Sequence, residues 1–430
     1  MKSLSYPRHA VNSLGFPLAV ILTLVMFFRP VPGDASGELL KQIAIILPVI
    51  VSAYILLLYL LTPKPVGNKL FEGFPGLFFI SLVLFSVLIS LLYNISNMSM
   101  RGIAELIRPL YYFIIFIFFY LLAQPKLVNF FVKFLIVFAI VQIIISTLQL
   151  IYPPISEAIT FFYSTEKMHK GLFRLVGTLG NPNRLGMYVT CGMLATRVSM
   201  KKNLFYLSYP LFTFGVFLSG SLFSLGLFSF LFFIFIFSDL FRIIRRSYLY
   251  LAAAFIIMPI TLALIYYGVI SLIELHPRLS AILHTVKSPE HLLKVGDWSL
   301  RVYAWKIVYY KFSLLADTNP LLWLLGAGPR KETLFRALDN DYLLVFFRYG
   351  ALGLTLYLSG ITYLFCLSLQ RKKEPLFRLC KYVIFLLSIS SFFYETYSSW
   401  MYIPLYVPLF AMMVAESKKP EGRALNEPAT

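Results

Sequence analysis

The sequence contains few of the groups that carry redox or metal chemistry. Its 430 residues include three cysteines and five histidines. Cys191, Cys366 and Cys380 fall within or at the edge of apolar segments, and no cysteine or histidine spacing matches a zinc site. The sequence therefore predicts no disulfide framework, no metal centre, no redox chemistry and no cofactor.

Acidic residues are also scarce, since 19 aspartates and glutamates stand against 38 lysines and arginines, for a net charge of +19. Such a balance can indicate a nucleic-acid partner. Here, however, the basic residues stand in short clusters between apolar runs, and membrane topology explains that arrangement better. The sequence therefore argues against a nucleic-acid partner.

Apolar residues dominate what remains. The chain is 59% hydrophobic and 17% aromatic, and its mean hydropathy is +0.79. A helix needs about 20 apolar residues to cross the roughly 30 Å hydrocarbon core of a bilayer. Runs of suitable composition lie near 12–28, 42–61, 74–93, 109–123, 127–151, 184–196, 204–220, 222–237, 249–270, 342–368, 380–394 and 400–415.

We therefore predict an all-α polytopic membrane protein with about twelve transmembrane helices. A single integral membrane domain is predicted over residues 1–415, followed by a cytoplasmic tail at 416–430. Every second junction between the runs is basic, which the positive-inside rule assigns to the cytoplasm. These basic residues are Lys2, Arg8, Lys64, Lys69, Lys126, Arg197, Lys201, Lys202, Arg242, Arg245, Arg246, Arg371, Lys372, Lys373, Arg378, Lys381, Lys418, Lys419 and Arg423. Both termini are therefore expected in the cytoplasm.

Two of the predicted outer loops, 152–183 and 271–341, are longer than ordinary connections and are candidates for function. The second contains a helical pattern, LRVYAWKIVYYKF. Its apolar positions are Val302, Trp305, Val308, Tyr309 and Phe312. The spacing predicts a helix that either lies along the outer leaflet, with its aromatic side chains at headgroup depth, or packs as an ordinary amphipathic helix.

The first outer loop ends in RLVGTLGNPNRLG, which spans Arg174 to Gly186. Glycine, asparagine and proline predict a tight loop at the start of the sixth apolar run. We expect such a loop to leave backbone N–H groups free near Arg174 and Arg184, which would make an anion site. The alternative is an arginine that reaches the headgroup region beside a turn.

The polar motifs together resemble the O-antigen polymerase and O-antigen ligase superfamily. The resemblance covers about residues 175–355 and rests on the order of RLVGTLGNPNRLG, SGS at Ser219–Ser221, LRVYAW, NPLLWLLGAGP and DNDYLLVFFRYGALG. The expected topology agrees with it, including a large loop before the tenth predicted span. Each motif is loose by itself, whereas the ordered set is more specific.

The resemblance implies a metal-independent glycosyltransferase of lipopolysaccharide biosynthesis, on the periplasmic face of the bacterial inner membrane. Its donor and acceptor would be undecaprenyl-pyrophosphate-linked oligosaccharides, and a chain-length regulator is a compatible partner. A pyrophosphate leaving group without a metal needs cations that stay charged and donate in a fork. Arg301 matches the arginine of the family's second-loop motif and is the leading candidate. Arg174 is next, and the remaining candidates are Arg184, Arg278, Arg330 and Arg336.

The acceptor hydroxyl must lose a proton, so a base is also expected. Where the ligases of the family carry a histidine-asparagine pair, this sequence has Asp339 and Asn340, a departure that favours a polymerase. Asp339 or Asp341 would then be the base, and the sequence leaves that choice open. The alternative is that Asp339 or Asn340 only caps the following helix. A second departure is Leu222, which stands where many relatives have an arginine after the SGS turn.

Two other functions stay open. A ligase would transfer the finished glycan to the lipid A core or to a protein. A flippase or transporter for lipid-linked sugars belongs to another class and can also have about twelve spans. Transporters of that size often show two matching halves, whereas here the largest loop falls between the ninth and tenth runs and acidic residues inside the apolar runs are nearly absent. That asymmetry argues against transport.

Overall fold

A computed structural model of the chain describes residues 8–28, 49–54, 56–57, 85, 87–90, 92–94, 107–163, 175–244, 297–328, 338–371, 373–394, 397 and 402–418. Over these ranges the backbone forms helices joined by turns, with no strand. The all-α prediction is therefore confirmed for the part of the chain that the structure describes.

The helices are α1 (Arg8–Phe27), α2 (Ile107–Leu121), α3 (Pro125–Ile151), α4 (Pro153–Tyr163), α5 (Pro182–Ser199), α6 (Lys202–Ser219), α7 (Leu222–Ile244), α8 (Asp297–Thr318), α9 (Leu321–Leu325), α10 (Asp341–Gln370), α11 (Pro375–Ser390) and α12 (Ile403–Ser417). Residues 49–54 and 87–90 are helical as well. The predicted runs at 42–61 and 74–93 are only partly covered by the description, and the run at 249–270 lies outside it. By length and composition alone, α3 and α10 are long and apolar enough to cross a membrane, with α10 counted across a break at Gly350. The number of spans remains a prediction.

Helix α5 lies at the centre of the bundle, where α3, α6, α7 and α11 pack against it. It is buried over most of its length although its composition is only weakly apolar. The hydroxyls of Thr190 and Thr196 donate to the carbonyls of Gly186 and Gly192, one turn earlier, at 2.7 and 2.9 Å. The two threonine side chains are small, and their hydroxyls are satisfied within the helix. Other helices can therefore pack against α5 on all sides.

The helix ends that carry the predicted cytoplasmic clusters are joined by polar contacts. Arg197, at the end of α5, is 2.8 Å from the carboxylate of Asp239, and Lys202 reaches the same oxygen at 3.1 Å. Arg378 donates to the carbonyl of Val198 at 2.9 Å. A cavity of about 400 Å³ lies between the start of α3, the end of α5, the start of α11 and the end of α12. The basic junctions that these helices carry therefore share one end of the bundle.

Helix α10 is broken at Gly350, so the prediction of one continuous helix over 342–368 is wrong. Gly350 has φ 68° and ψ −169°, a backbone conformation that is essentially restricted to glycine. The backbone at the end of α9 passes directly against the backbone around Gly350. A Cβ on Gly350 would lie 2.2 Å from the carbonyl oxygen of Leu324, and a Cβ on Gly326 would lie 2.3 Å from the carbonyl oxygen of Arg348. The break leaves a short arm at 341–349 and a long arm at 351–370.

Helix α8 packs on α9 and on the short arm of α10. Phe312 is fully buried, and Trp305 and Val308 pack beside it against Leu344 and Phe347. Trp305, Val308 and Phe312 of the predicted apolar face therefore pack against protein, whereas Tyr309 of the same set is 53% exposed. A different stripe of α8 is exposed, formed by Tyr303, Ile307, Tyr310 and Leu314.

Candidate functional site

The structure brings Arg301 and Asp339 together across 38 positions of sequence. The Nε atom of Arg301 lies 3.2 Å from Oδ2 of Asp339, with the arginine side chain 21% exposed and the aspartate side chain 46% exposed. Both residues belong to the second predicted outer loop, 271–341. The leading candidate cation and one of the two candidate bases are thus direct neighbours.

Helix α8 supplies the geometry of this pair. Trp305 lies one turn after Arg301, and its indole N–H donates to the carbonyl oxygen of Leu338. Since residues four apart project from the same face of a helix, the tryptophan contact at Leu338 and the arginine contact at Asp339 reinforce each other. The indole bond therefore sets the register of α8 against the segment that precedes α10.

The backbone at Asp339 has an unusual conformation. Its φ is +48°, and it is the one residue other than glycine with a positive φ among those described. Aspartate adopts this left-handed region more readily than most residues do, but at some cost in energy. Such conformations concentrate at functional positions. The turn directs the Asp339 carboxylate toward Arg301 while the chain enters α10.

Asn340 is the cap of α10. Its side-chain oxygen accepts from the N–H of Leu343 at 3.0 Å, and its side-chain nitrogen donates to the carbonyl of Phe392 at 3.2 Å. The capping alternative is confirmed for Asn340. It does not apply to Asp339, whose carboxylate contacts Arg301 instead.

Asp341, the other candidate base, is fully buried. Its Oδ2 accepts from the backbone N–H of Tyr397 at 2.7 Å and lies 3.4 and 3.5 Å from the hydroxyls of Ser391 and Tyr357. Its own N–H donates to the carbonyl of Ser391 at 2.8 Å. Asp341 therefore ties the start of α10 to the end of α11 and to Tyr397, which is a structural arrangement.

Tyr394 joins two parts of the site. The guanidinium carbon of Arg301 lies 5.5 Å from the centre of the Tyr394 ring, which is within cation–π range. The same ring packs edge-to-face on Phe223, at 5.1 Å between centroids. Phe223 follows the SGS turn by two residues, so Tyr394 connects that turn to Arg301.

The loop at 175–186 is built differently from the expectation. Gln149, on α3, accepts from the N–H groups of Val176 and Gly177 at 3.3 Å each, and Gln142 accepts from the N–H of Thr178 at 2.9 Å. The expectation of free backbone N–H groups is therefore wrong at these three positions. Two glutamines within an apolar helix supply the acceptors that an anion would otherwise have supplied.

The spacing of these two glutamines is the sequence signal that could have indicated a shared contact. Gln142 and Gln149 are seven residues apart, which places them on the same face of a helix. Both are buried. Polar side chains inside a membrane helix are costly, and they mark internal contacts or function. Here their function is to hold the loop against α3.

The SGS turn lies beside this loop. The N–H of Leu175 donates to the carbonyl of Leu218 at 3.1 Å, and the hydroxyl of Ser224 lies 3.4 Å from the carbonyl of Asn183. Arg184, on the first turn of α5, approaches the carbonyl of Leu179 at 3.4 Å. The loop thus contacts the SGS turn, which reaches Arg301 through Phe223 and Tyr394.

The remaining candidate cations are Arg174, Arg278, Arg330 and Arg336, which lie outside the described residues. Of the candidate cations, Arg301 and Arg184 are therefore the two with a known location.

Comparisons with known proteins do not identify the chain: no protein-family model matches it, and no match is found among curated proteins. The site must therefore be interpreted from its own geometry.

Proposed function

We propose that this chain is a bacterial inner-membrane glycosyltransferase that polymerises oligosaccharide repeat units carried on a polyprenyl pyrophosphate. The observation that carries the proposal is the contact between Arg301 and Asp339. It places a permanent cation and a carboxylate within one substrate's reach, beside a turn and a loop from other helices. The resemblance of the polar motifs to O-antigen polymerases supports the same interpretation.

In the proposed reaction, a hydroxyl of the acceptor glycan attacks the anomeric carbon of the donor sugar. The new carbon–oxygen bond forms as the bond from that carbon to the pyrophosphate oxygen breaks, and the electron pair leaves with the polyprenyl pyrophosphate. Arg301 stabilises the charge that develops on this leaving group, because a guanidinium stays charged and binds phosphate in a fork.

Asp339 is the proposed base, and it takes the proton of the attacking hydroxyl. A general base must come within hydrogen-bond reach of the proton it removes, and Asp339 is partly exposed next to Arg301. Asp341 is fully buried and is engaged by Tyr397. We therefore assign Asp341 a structural role and keep Asp339 as the catalytic residue.

The orientation is part of the proposal. The helix ends that carry Lys126, Arg197, Lys202 and Arg378 would face the cytoplasm, with both termini on that side. The loop at 175–186 and the SGS turn lie at the opposite ends of α5 and α6, and Tyr394 connects the SGS turn to Arg301. The site would then open to the periplasm, where a lipid-linked substrate presents its pyrophosphate at the membrane surface.

The test is reconstitution of the purified chain in liposomes with a lipid-linked oligosaccharide repeat unit as sole substrate and EDTA present. A ladder of products separated by one repeat unit is expected. Transfer only after lipid A core is added would make the protein a ligase. Movement of the substrate between leaflets without any new glycosidic bond would make it a flippase and would overturn the proposal.

A further inference from the structure

The turn that follows α11, residues 391–394, contacts the start of α10, Arg301 and Phe223, and it contains none of the residues singled out from the sequence. The carbonyls of Ser391 and Phe392 accept from the residues at the start of α10, at 2.8 Å from the N–H of Asp341 and at 3.2 Å from the side chain of Asn340. Tyr394, at the end of the turn, faces Arg301. Backbone carbonyls thus attach the turn to the start of α10, and the side chain of Tyr394 contacts Arg301.

Arg301 is oriented by two contacts of different kinds. Its Nε lies 3.2 Å from Oδ2 of Asp339, and its guanidinium carbon lies over the Tyr394 ring, 5.5 Å from the ring centre. A guanidinium has five N–H donors in a fixed plane. A contact at one nitrogen and a second contact with the ring together restrict the orientation of that plane. The donors that Asp339 does not use therefore point in a set direction, which suits bidentate binding of a phosphate.

The tyrosine ring is itself held in place. Phe223 packs on Tyr394 at an interplanar angle of 78° and also contacts Phe393, at 4.5 Å between centroids. Because Phe223 follows the SGS turn, the position of the ring depends on the connection between α6 and α7. The orientation of Arg301 is in this way coupled to a part of the chain far from α8 in sequence.

We propose that Tyr394 is a positioning residue that directs the guanidinium of Arg301 toward the pyrophosphate of the lipid-linked donor. This inference rests on the proposed function, since it names a residue that acts through Arg301 on the same substrate. Tyr394 touches the arginine, and the arginine touches the pyrophosphate.

The experiment measures binding of farnesyl pyrophosphate, a short prenyl pyrophosphate, to the purified full chain in detergent micelles. Tyr394→Leu is expected to weaken binding by about fivefold, the size of a partly buried cation–π contact. Tyr394→Phe keeps the ring and is expected to bind within about twofold of the unaltered chain. Phe392→Leu is the matched control, because that aromatic side chain belongs to the same turn and is 54% exposed; it should bind normally.

A double variant separates positioning from general structural damage. In an Arg301→Ala background, Tyr394→Leu should cause no further loss, because residues that act as one unit are not additive. Tyr394→Met, of similar length, replaces the leucine variant if that variant does not fold. Unchanged binding in Tyr394→Leu, or the same fivefold loss with and without Arg301, would overturn the positioning role and leave the proposed function standing. Absence of binding by the unaltered chain would overturn both.

Discussion

The hydroxyl of Tyr357 lies 3.5 Å from the carboxylate of Asp341, sixteen residues earlier on what the sequence predicts to be one helix. In a continuous α-helix those residues would be about 24 Å apart. The rings of Tyr342 and Tyr357 are also neighbours, with their centroids 6.0 Å apart. The chain therefore folds back on itself at Gly350, and the short arm of α10 packs along the long arm. This hairpin brings the DNDY segment to the end of α11.

Gly350 is the residue on which the hairpin depends. Gly350→Ala is expected to prevent normal folding, because the positive φ is strained for any residue with a Cβ and that atom would lie 2.2 Å from a backbone carbonyl. Gly360→Ala is the control, since a Cβ there meets nothing within 4 Å and alanine is the better helix former. For each of the two variants, the yield of monodisperse protein and the thermal midpoint in detergent are measured. Equal behaviour of the two variants would contradict the hairpin.

Arg301 should be essential for turnover but not for folding. Arg301→Ala is expected to reduce polymerisation by about 100-fold or more, the loss typical of removing one preorganised donor to a developing negative charge. Arg301→Lys should recover only part of the activity, because an ammonium keeps the charge without the planar fork. Initial rates of chain extension in liposomes provide the measurement. Full activity of the alanine variant would remove Arg301 from the mechanism.

The two aspartates should separate into a catalytic and a structural residue. Asp339→Asn is expected to leave the thermal midpoint almost unchanged and to lower the rate by about 100-fold or more. Asp341→Ala leaves the buried N–H of Tyr397 without its acceptor, which costs about 1 to 3 kcal/mol of unfolding free energy.

Unfolding curves and rates measured on the same preparations distinguish these outcomes. Wild-type turnover in Asp339→Asn, together with an inactive but fully stable Asp341→Asn, would reverse the assignment.

The glutamines of α3 should matter for stability. Gln142→Leu removes the acceptor of the Thr178 N–H and the donor to the Thr178 hydroxyl, so a loss of about 1 to 3 kcal/mol in unfolding free energy is expected. Ile144→Leu is the control on the same helix, because Ile144 is 53% exposed. Limited proteolysis at the 175–186 loop checks the local effect. Equal cleavage of both variants would show that Gln142 does not hold the loop.

The loop shows where sequence reasoning stops. RLVGTLGNPNRLG predicts a tight turn at the start of a helix, and the structure has Asn181 as cap and Pro182 as first residue of α5. Whether the loop's N–H groups meet an anion or a side chain depends on what lies opposite. Gln142 and Gln149 lie opposite, and they come from a helix about 30 residues earlier in the chain, where periodicity alone gives no pairing.

By itself the sequence determined the all-α class and the outer loop at 271–341 to search, because helical periods are local properties of the chain. It also placed Arg301 and Asp339 among the few candidates for chemistry. Only the tertiary structure decided that these two meet, that Asp341 is buried, and that Tyr394 lies against the arginine. Those relationships arise from the break at Gly350 and from contacts between α8, α10 and α11. Long-range packing of this kind leaves no periodic signal in the residues that it joins.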